Sequence, residues 1–163
     1  MAVNTKESAR RSLELRSLED ISADLDRIQA AHDAGTLGTT GNWTPGQVLE
    51  HVSALMECAI DGFPSKAPAP VRWMCILLFK KKALAGGSPP AGFKIPKQAA
   101  FLIPGESTTF DEGMSRLRKV IARVRGGEKF THDSPIFGRL SHEQWITLQS
   151  GHATLHLSFL TLG

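Results

Sequence analysis

Cysteine is scarce in this chain, and long apolar runs are absent. Cys58 and Cys75 are the two thiols among 163 residues, so no disulfide framework organises the fold. Both stand among apolar neighbours, and buried packing is their plain reading. The longest apolar run, "WMCILLF" at 73–79, falls far short of the roughly 20 residues a membrane span needs. The opening "MAVNTKESARRSLELRS" has no apolar stretch and so does not read as a signal peptide. A cytoplasmic protein without stable membrane insertion is expected. Charge of one sign is also lacking. The 19 Lys and Arg residues against 16 Asp and Glu leave +3, with a pI near 9.1, and the basic residues are scattered. A nucleic-acid binder gathers its charge into one strip, so no nucleic-acid partner is expected. No repeat and no convincing strand is visible.

What is present is helical patterning in a chain of one-domain length, read as a single domain over 1–163. Leu13, Leu18, Ile21, Leu25 and Ile28 form one apolar stripe. Glu14, Arg16, Glu19, Asp20, Asp24, Asp26 and Arg27 fill the opposite face. The glycine-rich "DAGTLGTTGN" ends this first helix. The second has the clearest start. In "NWTPGQVLEH", Thr44 can cap, Pro45 suits the first helical position, Gln47 completes a capping box, and Trp43 with Val48 can form a hydrophobic staple. Its buried face reads Val48, His51, Val52, Leu55 and Ala59, and Gly62 with Pro64 should end it.

Residues 63–106 hold seven of the nine prolines, and no long element fits there. A short helix through "VRWMCILLFKKKAL" is expected, followed by loop. So long a connection is usually functional, often a lid. "WMCILLFKKK" suits a membrane surface or a partner, but packing over the mouth of the bundle with its lysines in water is the favoured reading. A lid there would give a site an apolar wall.

A third helix spans about 109–125, with Met114, Leu117, Val120, Ile121 and Val124 inward and Gly126–Gly127 at its end. The fourth starts at Ser141, where Gln144 completes another capping box. Its inward face reads Trp145, Leu148, His152, Leu155, His156 and Phe159. The fold expected is all-α, a four-helix bundle with a long loop-rich crossover between helices two and three.

His152 and His156 are four apart, so both rings leave one helix face a turn apart, the spacing by which one helix supplies two ligands to a metal. His51 stands mid-stripe on the second helix. If helices two and four are neighbours, three imidazoles converge. Three histidine ligands leave positions open for water or substrate, which is the catalytic rather than the structural type. The opposing reading is that each is a core histidine with a hydrogen-bond partner.

The chain resembles the DinB-like (DinB/YfiT) superfamily of metalloenzymes, in a branch of unassigned function. "NWTPGQVLEH" (42–51), "DGFP" (61–64), "SPIFGRLSHEQW" (134–145) and "HATLH" (152–156) carry the resemblance, in the expected order. It implies a four-helix bundle holding a divalent metal, most often nickel or zinc, with manganese or iron as alternatives. The ligands implied are one histidine of helix two and the H-x-x-x-H of helix four, here His51, His152 and His156. Some members of that superfamily are transferases or isomerases that use a low-molecular-weight thiol. Homodimerisation is also implied. Two departures stand out. Ser134 occupies a position where the branch tends to carry histidine, with His132 two residues earlier, and Gly151 and Leu155 flank the helix-four pair where relatives often add histidines.

The expected function is therefore a metal-dependent enzyme acting on a small molecule, a thiol-dependent transferase or a hydrolase. The alternative is a non-catalytic helical module acting through dimerisation or partner binding. Catalytic residues beyond the ligands are not evident. His142, at a helix start, and His132 with Asp133, in a loop, read as non-functional. Cys58 lies two turns, roughly 10 Å, beyond His51 and is too far for the same ion.

Overall fold

In the computed structural model, which describes residues 3–92 and 95–163, the chain is all-α. Four long helices form a bundle: α1 (Leu18–Asp33), α2 (Pro45–Asp61), α5 (Phe110–Arg125) and α6 (His142–Leu157). Around the bundle, α1 neighbours α5 and α6, and α2 neighbours the same two, so α2 and α6 are side by side. The crossover carries α3 (Ala69–Leu78), α4 (Lys80–Leu84) and a 3-10 turn at Lys97–Leu102. No helix among the described residues is long and apolar enough to cross a membrane.

Each long helix starts at a capping box, made by Ser17 with Asp20, Thr44 with Gln47, Thr109 with Glu112, and Ser141 with Gln144. Each box satisfies amide donors that the first helical turn would otherwise leave unpaired. Gly62 closes α2 at a φ of 113°, in the half of backbone space that favours glycine.

The first helix begins later than its apolar pattern suggests. Leu13 and Leu15 lie before the Ser17 cap, in a segment laid along the end of α6. There the Arg11 amide donates to the Ser158 carbonyl at 2.8 Å, and the Leu15 amide to the Thr154 hydroxyl at 3.0 Å. Both side chains still join the core, which is why Leu13 continues the helical stripe in the sequence. Asp24 is not on the solvent face but buried, gripped by both terminal nitrogens of Arg11 at 2.8 Å. The bidentate partner compensates the burial of the Asp24 carboxylate, a geometry that pairs both its oxygens.

The fourth helix departs further from a one-face pattern. Gln149, Ser150, Ala153, Thr154 and Leu157 are buried as well as Trp145 and Leu155. The crossover explains this, because α4 packs on α6, and a Cβ at Gly151 would lie 2.4 Å from the Gly87 carbonyl oxygen. The 3-10 turn and a two-residue antiparallel pair, β1 (Gly38–Thr39) with β2 (Leu160–Thr161), were not expected. Elements this short leave no periodic signal. The segment expected to pack over the bundle mouth does so in part only. Ala83 and Leu84 meet the core, whereas most apolar side chains of α3 face solvent.

α2 and α5 approach almost backbone to backbone. A Cβ at Gly113 would lie 2.4 Å from the Gly46 carbonyl oxygen and 3.0 Å from the Leu49 Cβ. Neither neighbour is a flexible side-chain end, so a Gly113→Ala variant must push the helices apart. Overpacking of this kind costs about 1–3 kcal/mol, against the roughly 1 kcal/mol that alanine gains in a helix. Urea denaturation should show a net loss of up to about 2 kcal/mol; a stabilised variant would contradict the close approach.

Candidate metal centre

Helical geometry places three imidazoles at one point inside the bundle. His51 projects from α2, and His152 and His156 from adjacent turns of α6. His51 Nε2 lies 3.1 Å from His152 Nε2 and 3.2 Å from His156 Nε2. One ligand atom from each lies within 4.8 Å of the others, and among the described residues no other group of histidine, cysteine, aspartate or glutamate converges this way. For an ion held at about 2.0–2.1 Å, tetrahedral nitrogen pairs stand roughly 3.3–3.4 Å apart, close to the spacings observed.

The tautomer of His51 follows from its other nitrogen. Nδ1 lies 2.6 Å from the Leu102 carbonyl oxygen, which can only accept, so Nδ1 carries the proton. Nε2 is left with a lone pair facing the other two rings. This carbonyl orients the ligand in the way outer contacts of metal-bound histidines do. Burial lowers the proton affinity of His51, with the Leu102 carbonyl acting weakly against it. His152 and His156 are lowered well below the usual histidine range, by burial first and then by the charge of neighbouring imidazoles. All three are therefore neutral at neutral pH, the form that binds a cation.

The reading as ordinary core histidines fits poorly. Nδ1 of His152 is buried without a hydrogen-bond partner. The three Nε2 atoms face one another, and one N–H can satisfy only one lone pair. A cation in the middle would satisfy all three Nε2 lone pairs, though not the Nδ1 of His152, so the converging nitrogens fit a divalent metal. Trp43 walls the cluster, its ring centroid 4.6 Å from that of His51 and 5.8 Å from that of His156. Trp145, the other tryptophan at a helix start, is instead fully buried and donates its indole N–H to the His132 carbonyl at 3.0 Å.

The crossover reaches the cluster through its 3-10 turn rather than through α3. A polar network pins the segment that follows Leu102. Glu50 accepts from the Gly105 amide at 2.9 Å and from the Thr108 hydroxyl, and Gln47 donates to the Gly105 carbonyl at 3.0 Å. Arg116 on α5 donates to Glu50 at 2.8 Å and to Glu57 at 2.9 Å. Glu50, Arg116 and the Leu102 carbonyl had no signal in the sequence. Their partners are more than fifty positions away, and a backbone carbonyl can belong to any residue.

The remaining candidates lie elsewhere. His142 accepts from the Phe130 amide at 3.2 Å, at the far end of α6. His132 and Asp133 line a surface cleft of about 520 Å³ with Phe63 and Lys66. Ser134 closes a turn, its hydroxyl accepting from the Phe137 amide at 3.1 Å. Burial and the nearby Glu57 push the Cys58 thiol up, so it is no ready thiolate.

A family model described as "Protein of unknown function (DUF1569)" matches residues 7–162, and the chain belongs to that family. The description assigns no activity. No curated protein and no solved structure matches the chain.

Glu50 touches no ring, yet it holds the segment that orients His51. A Glu50→Ala variant should weaken metal affinity about tenfold, the low end of what outer-contact changes cost. Competition against a chromophoric chelator measures this, and unchanged affinity in a folded variant would show that the network does not position the ligand.

Proposed function

We propose that this protein is a divalent-metal-dependent enzyme of the DinB-like kind, acting on a small molecule through an ion held by His51, His152 and His156. The observation that carries the proposal is the convergence of His152 and His156 on His51, whose Nε2 lies 3.1 and 3.2 Å from theirs, with all three ligand atoms within 4.8 Å of one another. Nickel or zinc suits such a ligand set best, and manganese or iron remains open to it. The resemblance in "NWTPGQVLEH", "SPIFGRLSHEQW" and "HATLH" supports the same ligands and adds homodimerisation to the proposal.

A divalent ion in that position would polarise a bound carbonyl or lower the pKa of a bound thiol or water. The protein's own groups do the rest. His51, oriented by the Leu102 carbonyl, and the α6 pair would hold the ion. Trp43 supplies an aromatic wall beside His51 and His156. No carboxylate joins the cluster among the described residues, so three neutral ligands leave the ion its full positive charge. That favours anionic ligands such as a thiolate. We propose a low-molecular-weight thiol as co-substrate of a transferase, with hydrolysis as the alternative reaction, in a cytoplasmic setting.

Metal content by mass spectrometry tests the proposal on untagged protein reloaded in turn with nickel, zinc, manganese and iron. About one equivalent per chain is expected for the wild type, with loss in His152→Ala. Thiol-transfer turnover should then require the loaded metal. An undisturbed fold without stoichiometric metal after reloading would contradict the proposal and return the histidines to the core.

A further inference from the structure

Among the described residues, α3 is where large apolar side chains turn outward together. Trp73 is 73% exposed, Leu77 69% and Leu78 59%, and Met74, Val71 and Phe79 are exposed beside them. Trp73 with Leu77, and Met74 with Leu78, are four residues apart, so they form two adjoining rows on one helix face. A contiguous apolar patch of this kind is unusual on a free surface and marks an interaction site.

The helix is held firmly from behind. The ammonium of Lys80, the first residue of α4, donates to the carbonyls of Phe137 at 3.1 Å and Arg139 at 3.0 Å. Ahead of α3, the Ala67 amide donates to the Pro135 carbonyl at 3.1 Å. The apolar face is thus presented by the body of the protein, not by a loose strand of chain.

Charge along the segment that carries the patch has one sign. Between residues 62 and 105 the sequence has seven Lys and Arg and no Asp or Glu, although the whole chain carries only +3. The basic residues are scattered along the sequence as a whole, but this segment holds none of the acids that would offset them. Lys81 and Lys82 are exposed at the end of the apolar face, and Lys66 is exposed ahead of it.

We propose that α3 docks this protein onto an anionic lipid surface. Trp73, Met74, Leu77 and Leu78 enter the headgroup boundary, and Lys81 and Lys82 meet the lipid phosphates. Amphipathic helices rimmed by lysine and bearing tryptophan and leucine lie in the interface in this way, without spanning. Charge decides against a second copy of the chain as the occupant. A two-fold contact would bring the same patch of both copies together and set lysines against lysines. This docking does not depend on the metal.

Sedimentation with phosphatidylcholine vesicles, with and without phosphatidylglycerol, tests the proposal on the full chain. Wild-type protein should bind the anionic vesicles and not the neutral ones, with a blue shift of tryptophan emission. Trp73→Phe should keep binding but lose most of that shift, since Trp145 is buried and Trp43 lies in the metal centre. The exposed pair Lys81→Gln/Lys82→Gln should weaken binding about 30-fold. Trp73→Glu with Leu77→Glu should abolish it, with helicity by circular dichroism unchanged. Absence of binding to anionic vesicles would overturn the proposal. So would self-association of the wild type that Trp73→Glu relieves, which would assign the face to a second copy.

Discussion

Three neutral imidazoles, one buried and two half-buried, with their Nε2 atoms turned toward one another are a costly arrangement, and much of the fold serves to maintain it. Buried polar atoms need partners, and the low dielectric of the interior raises the cost of leaving them without. His51 has a partner on one side only, the Leu102 carbonyl. His152 has none for its Nδ1. An apolar triplet at these positions would pack with less penalty. A cation at their centre would give the three Nε2 lone pairs a shared partner, from residues on two helices braced by a third segment.

α2 is the element on which this depends. Its Gly46 admits α5 to near-backbone contact, its opposite side meets α6 through the histidines, and Gln47 and Glu50 fasten the end of the crossover. Arg116 on α5 closes the circuit by pairing with Glu50 and Glu57. Helix packing, ligand orientation and loop placement are therefore one mechanical unit. The crossover has two ends with different tasks. Its 3-10 turn orients His51, whereas α3 faces outward with its apolar side chains uncovered.

Legible from pattern alone were the features that rest on local rules. Capping boxes at Thr44 and Ser141, the stripe from Met114 to Val124, and the shared face of His152 and His156 all follow from short-range geometry. The convergence of His51 with that pair needed one topological assumption, that helices two and four are neighbours. What stayed hidden was tertiary. Asp24 reads as a surface charge until Arg11 folds back over it. The burial of α6 on every side requires the crossover to lie on Gly151, which no periodicity reports. α3 misled for a related reason. An apolar run is ordinarily covered, and only the three-dimensional course of the chain shows that this one faces outward.

The central claim is that His51, His152 and His156 together hold a divalent ion through Nε2. X-ray absorption spectroscopy of the zinc- or nickel-loaded protein tests it most directly, because imidazole rings give a recognisable multiple-scattering pattern. About three nitrogen scatterers at about 2.0–2.1 Å with that pattern, completed by oxygen, are expected, with loss of the pattern in His51→Ala. A spectrum of oxygen or sulfur ligands alone would contradict it and place the metal away from the histidines.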